Sequence, residues 1–189
     1  MDDTPRARPG ALDAILADAA ALGFAMSCEE RTGSLLATLA ASKPGGRFLE
    51  LGTGVGAGAA WLLHGMTEDT SLTSVEADPA VQAVAAKHLA HDHRATFTTT
   101  NAWLTAYTGP PISLAYVDCR PGKIHRLADL IALLERGGLY IADDLLPQPT
   151  WPDDHQSRVD AFLAHLPEHP NLLYTPLRWA SGLLIGTRV

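Results

Sequence analysis

Two sets of residues in this chain have types and spacings that can do chemistry. The first is the run Glu50-Leu-Gly52-Thr-Gly54-Val-Gly56, with a second acid, Glu76, further along. Glycines in such a run let the backbone turn sharply and approach a ligand closely, and a helix starting just after them offers free N–H groups, so a nucleoside cofactor is the natural occupant. A carboxylate at the end of the next strand can accept hydrogen bonds from both hydroxyls of an adenosine ribose, the place Glu76 takes. The second set is Asp118, Asp143 and Asp144. Gathered at neighbouring strand ends, three carboxylates repel unless they are protonated or bridged by a cation. A hard divalent ion such as Mg2+, which prefers oxygen ligands and keeps some waters, relieves that repulsion.

The elements that must position these groups follow from pattern. Residues 11–22 carry good helix formers, and Ser27-Cys-Glu-Glu30 has the spacing of a capping box that starts a second helix running to about Ser42. From there short β-rich runs alternate with helical segments, which predicts a parallel sheet with crossover helices. The predicted strands are 47–51, 71–76, 95–100, 112–118 and 139–143, with helices over 56–65, from Asp78 to near His91, over 123–136 and over 153–166. Asp78 is placed to cap its helix and Pro79 suits the first turn, while Gly137-Gly138 is read as a helix stop. The last runs, 171–176 and 182–187, are joined too tightly for a crossover helix and predict an antiparallel hairpin. The fold class is therefore α/β, a doubly wound, mainly parallel seven-stranded sheet with an antiparallel C-terminal hairpin and N-terminal helices. The chain reads as one domain, with a flexible arm at 1–10, a helical cap at 11–45 and a cofactor-binding core at 46–189.

The glycine turn alone serves two kinds of cofactor, because Gly52, Gly54 and Ala57 also fit the dinucleotide fingerprint Gly-x-Gly-x-x-Gly/Ala. Three features favour the other kind. Glu50 puts a carboxylate where a pyrophosphate would sit, which suits a ligand bearing an ammonium group, as S-adenosylmethionine does. The closing hairpin departs from the all-parallel dinucleotide sheet. No separate substrate domain remains once the sheet is built.

From about Ala25 to Val189 the sequence resembles the class I S-adenosylmethionine-dependent methyltransferases. FLELGTGVGAG looks like their first motif and SLTSVEADP like the second-strand motif that ends in the ribose-binding acid. MSCEERTGSLLATLA, YVDC and RGGLYIADDLL make it most similar to the catechol and caffeoyl-coenzyme A type of small O-methyltransferase. The resemblance implies a Rossmann-like methyltransferase sheet with strand seven between five and six. It implies cofactor contacts from Met26, Glu50, Gly52, Thr53, Gly54, Gly56, Glu76, Ala77, Asn101, Ala102, Trp103 and Asp118. It also implies methyl transfer to a hydroxyl of a small molecule, and a homodimer.

Metal-dependent members of that family place an Asp at position 118 and an Asp-Asn pair at 143 and 144, so the resemblance implies a Mg2+ or similar ion held by Asp118, Asp143 and Asp144. Asp144 in place of Asn keeps the oxygen and adds a charge. A phenol is a weak nucleophile with a pKa near 10; a metal on its oxygen favours the phenolate, and transfer itself chiefly needs in-line positioning. The family's Lys three residues after the first Asp is Pro121 here, which leaves Lys123 and His125 as general bases or as solvated residues of the next helix. The alternatives are a metal-independent methyltransferase of the same fold, a non-catalytic cofactor binder and an NAD(P)-dependent reductase.

Other features are weaker. His88, His91, Asp92 and His93 have metal-like spacing but fall at the exposed end of a crossover helix. Trp151, Asp153, Asp154 and His155 follow strand five and suit either a substrate pocket or a surface loop. Cys119 has no partnered His nearby in sequence, which argues against a nucleophilic thiolate. Fourteen Lys and Arg against twenty-one Asp and Glu give a net charge of −7, which repels a phosphate backbone or an anionic membrane and argues against nucleic acid. The start lacks the layout of a secretory signal, and two cysteines are too few for a disulfide framework, so a cytoplasmic location is expected.

Overall fold

Seven strands form one sheet in the order β3-β2-β1-β4-β5-β7-β6. The computed structural model describes residues 3–101, 107–148 and 151–189. The strands are β1 (Arg47–Leu51), β2 (Ser71–Glu76), β3 (Ala95–Thr99), β4 (Ile112–Val117), β5 (Leu134–Ala142), β6 (Leu172–Leu177) and β7 (Leu183–Arg188). The helices are α1 (Leu12–Leu22), α2 (Glu30–Ala41), α3 (Ala57–Gly65), α4 (Pro79–Leu89), α5 (Leu127–Leu133) and α6 (His155–His165). β1 to β5 pair in parallel, and β7 runs antiparallel to both β5 and β6: the hairpin is as read, and the inserted position of β7 is the one the family resemblance implies.

The central strand β4 is buried along its whole length, as a parallel strand covered on both faces must be. Alternate residues serve alternate faces. Leu114 and Tyr116 join Ile15, Leu36, Phe48 and Leu62 on the side of α1 to α4. Ala115 and Val117 join Leu130, Ile131, Val159 and Phe162 on the side of α5 and α6. No helix among the described residues is long and apolar enough to cross a membrane.

Three local expectations are corrected. α2 begins at Glu30, and its N-cap Glu29 is extended with no side-chain cap, so the Ser27 capping box does not form. Residues 25–29 line a cavity instead of adding a turn to the helix. The helix expected over 123–136 is confined to Leu127–Leu133. Residues 121–125 form a tight turn, anchored where the Tyr140 hydroxyl donates to the Gly122 carbonyl at 2.8 Å. Gly137-Gly138 lies inside β5 at a register shift, since Leu134 already pairs with Ile112. The cap on α4 is as read: Asp78 accepts from the Ala80 N–H at 2.8 Å, and Pro79 opens the helix. Before α1, Arg8 pairs with Asp13 and Glu30, and Asp3 pairs with Arg31.

Candidate active site

The tips of β1, β2, β4 and β5 converge on one edge, where ligands gather in doubly wound sheets. The turn after β1 must leave the strand almost against the end of β4. At Gly52 the backbone has φ 93°, and a side-chain carbon there would sit 2.5 Å from the Asp118 carbonyl oxygen, so only glycine fits. Gly56, at φ 96°, caps α3 and packs on Ala85 of α4, where an added carbon would approach to 2.7 Å. Gly56 thus serves helix packing, and it is not among the residues that line the cavity or the recess described below.

Above this turn is a cavity of about 280 Å³. Met26, Gly52, Gly54, Glu76, Ala77, Asn101 and Asp118 all line it, so the structure brings together most of the residues expected at a cofactor. Ala102 and Trp103 lie outside the described residues. The Glu76 carboxylate is fixed by three backbone donors: Gly54 at 2.8 Å, Ala77 at 2.8 Å and Asp78 at 3.1 Å.

Glu50 is buried at the centre of the sheet, level with Ser74 on β2 and Tyr116 on β4. The Ser74 hydroxyl donates to one of its oxygens, and Thr53 and Ser74 share a 2.6 Å hydrogen bond. The other oxygen, Oε1, has no partner among the described residues. Burial pushes the Glu50 carboxyl up to about 8, opposed by the Ser74 hydrogen bond and reinforced by Glu76. Glu50, Thr53, Gly54, Tyr116 and Asp118 border a narrow recess of about 10 Å³, the size of one small polar group. An orphaned buried carboxylate oxygen beside such a recess fits the ammonium end of S-adenosylmethionine.

A second cavity, of about 350 Å³, adjoins the first; Met26, Asp118, Cys119 and Asp144 line both. Residues 25–29 line it, as do Lys123, Asp143, Trp151 and His155. The Trp151 and His155 rings are 4.2 Å apart. His155 Nε2 is buried without a partner among the described residues. Its pKa is lowered by burial first, then by Lys123 and Arg120. Burial likewise pushes the Cys119 thiol up to about 12, which leaves it protonated and a poor nucleophile.

The expected metal set does not fit. Asp143 is buried, and its Oδ1 accepts from the Ser181 hydroxyl and the Asp144 N–H while Oδ2 accepts from the Tyr116 hydroxyl at 2.8 Å. Asp144 takes a left-handed backbone, φ 59°, which Asp and Asn tolerate better than other side chains. Burial and the neighbouring acids hold Asp118 and Asp144 above the usual carboxylate range. No three His, Cys, Asp or Glu among the described residues form a group that could hold a metal ion.

The two bases read from sequence separate. Lys123 enters the second cavity, but its ammonium donates to the Asp143 carbonyl at 2.6 Å. His125 faces a different cleft with Arg158, His165 and His169, because the 121–125 turn points its side chain away from the strand tips. Of the loop residues after β5, Trp151 and His155 reach the cavity; Asp154 instead pairs with Arg158. The histidines near α4 have separate partners, His88 with Asp18 and His93 with Glu68, while Asp92 holds Arg94. Sequence reasoning missed Phe24, which lines the first cavity, and Ser181, which holds Asp143. Tyr116 lay within the YVDC motif without being given a role.

The fold and the paired cavities define the class I methyltransferase architecture. Residues 49–145 match the family described as "Methyltransferase domain", and the chain belongs to that family. Among solved structures, it is similar to an O-methyltransferase from Bacillus cereus in complex with SAH, with a TM-score of 0.85 at 18% identity, covering 99% of this chain and 94% of that one. It is likewise similar to the O-methyltransferase TomG from Streptomyces achromogenes in complex with SAM, with a TM-score of 0.83 at 20% identity, covering 97% and 91%. Both likenesses concern the fold. A curated relative from Mycolicibacterium vanbaalenii, provisionally named an O-methyltransferase, is 29% identical over 116 residues, which is 58% of this chain and 51% of the relative. The chain thus matches about half the length of that relative, and 25% of another from Mycolicibacterium smegmatis.

Proposed function

We propose that the chain is an S-adenosylmethionine-dependent O-methyltransferase that acts on a hydroxyl of a small molecule. The observation that carries this reading is the unpartnered Oε1 of buried Glu50, which borders a narrow recess adjoining the cavity that Glu76 lines. A buried carboxyl oxygen left without a partner is costly unless a ligand supplies a donor, and an ammonium does so while favouring the ionised form. SAH and SAM, each bound in one of the two solved structures of this fold, both carry such an ammonium as well as a ribose. A diphosphate at the same place would meet two carboxylates.

S-adenosylmethionine supplies the electrophilic methyl group: the carbon–sulfur bond breaks with its electron pair on sulfur as the acceptor oxygen forms the new carbon–oxygen bond. Glu50 holds the ammonium and Glu76 the ribose hydroxyls, and Asp118 stands where the two cavities meet. The second cavity holds the acceptor, with the Trp151 ring as a flat apolar wall. His155, neutral because its pKa is lowered, accepts the hydroxyl proton at Nε2 in its Nδ1–H tautomer. Because the carboxylate trio does not fit a divalent ion, no step is assigned to one. Fixed positioning of oxygen and methyl carbon is the main contribution the protein makes.

The test is transfer of radiolabelled methyl from S-adenosylmethionine to a panel of catechols and phenols, with His155→Ala as the comparison. Transfer to at least one acceptor, reduced on the order of 100-fold in the variant, supports the reading. Absence of transfer with intact cofactor binding leaves a cofactor binder and refutes the enzyme.

A further inference from the structure

We propose that the acceptor carries a carboxylate besides the hydroxyl that is methylated, and that Arg120, on the rim of the second cavity, selects for it. The inference rests on the reading of that cavity as the acceptor site, and three observations support it.

The first is the division of charge around the cavity. Asp118, Asp143 and Asp144 follow the tips of β4 and β5, and Glu29 lies on the 25–29 segment. The cations are Lys123 and Arg120. Lys123 is buried and its ammonium is already used on the Asp143 carbonyl at 2.6 Å. Arg120 is exposed, and among the described residues its guanidinium has no hydrogen bond or ion pair.

The second is how Arg120 is held. Its carbonyl accepts from the N–H groups of Lys123 at 3.3 Å, Ile124 at 2.8 Å and His125 at 3.4 Å. The turn after β4 thus closes on this residue and fixes its backbone while the side chain stays free. The guanidinium charge reaches Asp154 and His155, which places it on the α6 side of the cavity. Asp154 is itself paired with Arg158 at 2.6 Å.

The third is the surface beyond the rim. A cleft of about 390 Å³ shares Lys123 with the acceptor cavity and is lined by His125, Arg126, Arg158, His165 and His169, with no acid among the described lining residues. In a chain of net charge −7, this gathers basic groups beside Arg120, which favours approach of an anion from that side.

Arginine offers a planar fork of N–H donors that matches a carboxylate in two parallel hydrogen bonds. An aromatic hydroxy acid uses each part of this wall: its ring against Trp151, its hydroxyl at His155 Nε2 and its carboxylate on Arg120. The strand-tip acids repel the carboxylate, so Arg120 also fixes which way the acceptor lies.

The experiment is calorimetric titration of the full chain, saturated with S-adenosylhomocysteine, with 3,4-dihydroxybenzoate, catechol and 3,4-dihydroxybenzylamine. The wild-type protein is expected to bind the acid at least about tenfold more tightly than catechol. Arg120→Gln should bring that ratio to within about threefold, and Arg120→Lys, which keeps the charge without the fork, should fall between. An acid bound no more tightly than catechol, a ratio unchanged in Arg120→Gln, a preference for the amine, or no binding of any of the three overturns the proposal. If S-adenosylhomocysteine itself does not bind, the cofactor reading fails and the same ratios are read on the protein alone. Methyl transfer to catechol with no preference for the acid removes this proposal and leaves the O-methyltransferase reading standing.

Discussion

Glu50 and Glu76 stand on adjacent strands, Glu76 in the wall of the larger cavity and Glu50 in the narrow recess beside it, and they are held in opposite ways. Glu76 receives three backbone N–H donors, whereas Glu50 receives one hydroxyl and keeps an oxygen without a partner among the described residues. Glu76 is thus set before any ligand arrives. On the proposed function, Glu50 is completed by the ligand.

Replacing Glu76 therefore does two things. Glu76→Ala strips partners from the Gly54, Ala77 and Asp78 N–H groups and removes the ribose acceptor. Affinity for S-adenosylhomocysteine should fall by about 10- to 100-fold, as expected for loss of charge-assisted hydrogen bonds. Glu76→Gln, which keeps one acceptor, should lose less. Calorimetric titration of both variants checks the order.

Gly52→Ala should lower stability by about 1–3 kcal/mol, because the turn needs a left-handed backbone and the new methyl meets the Asp118 carbonyl. Relief of that contact displaces Asp118, so activity should fall further than the folded fraction does. Urea denaturation together with the rate at low temperature separates the two effects.

Tyr116 and Ser181 come from β4 and from the turn before β7, and both donate to Asp143. Tyr116→Phe and Ser181→Ala should each cost about 1–3 kcal/mol by leaving a buried carboxylate short of a donor. Their effects should not add, since both act on one group. A double-mutant cycle by chemical denaturation measures the coupling.

The bounds of β1 and β2 were legible to the residue because each rests on local pattern, and Gly52, Gly54 and Glu76 fall together in one cavity with Glu50 in the recess beside it; the start of β5 at Leu134, five residues ahead of the expected Leu139, was not. The helix expected over 123–136 was not legible as a turn plus a short helix. Ile124, Leu127, Ile131 and Leu134 do have helical spacing, but Tyr140 pins the Gly122 carbonyl and Leu134 pairs with Ile112, both contacts distant in sequence. The Ser27 box failed for a similar reason, since residues 25–29 wall a cavity made by strands far along the chain. The carboxylate trio was legible as a cluster. The state of its oxygens was not, because Ser181 and Tyr116 engage the Asp143 carboxylate and neither is signalled near Asp143 in sequence.

The central claim is that Glu50 receives the ammonium of S-adenosylmethionine, and proton linkage tests it. With its carboxyl pushed up to about 8, Glu50 is largely protonated in the free protein at neutral pH and must ionise to pair with the ligand. Its contribution to stability is complete below the ordinary value of 4.5 and is lost as the pH rises through about 8. Glu50→Gln should therefore be the more stable protein at about pH 9 while binding the cofactor more weakly. The most direct measurement is calorimetric titration with S-adenosylmethionine at about pH 7 in two buffers of different ionisation enthalpy. The account predicts one saturable site with release of close to one proton per ligand, a release that vanishes above about pH 9 and in Glu50→Gln. Binding with no proton release, or with the same release in Glu50→Gln, contradicts it.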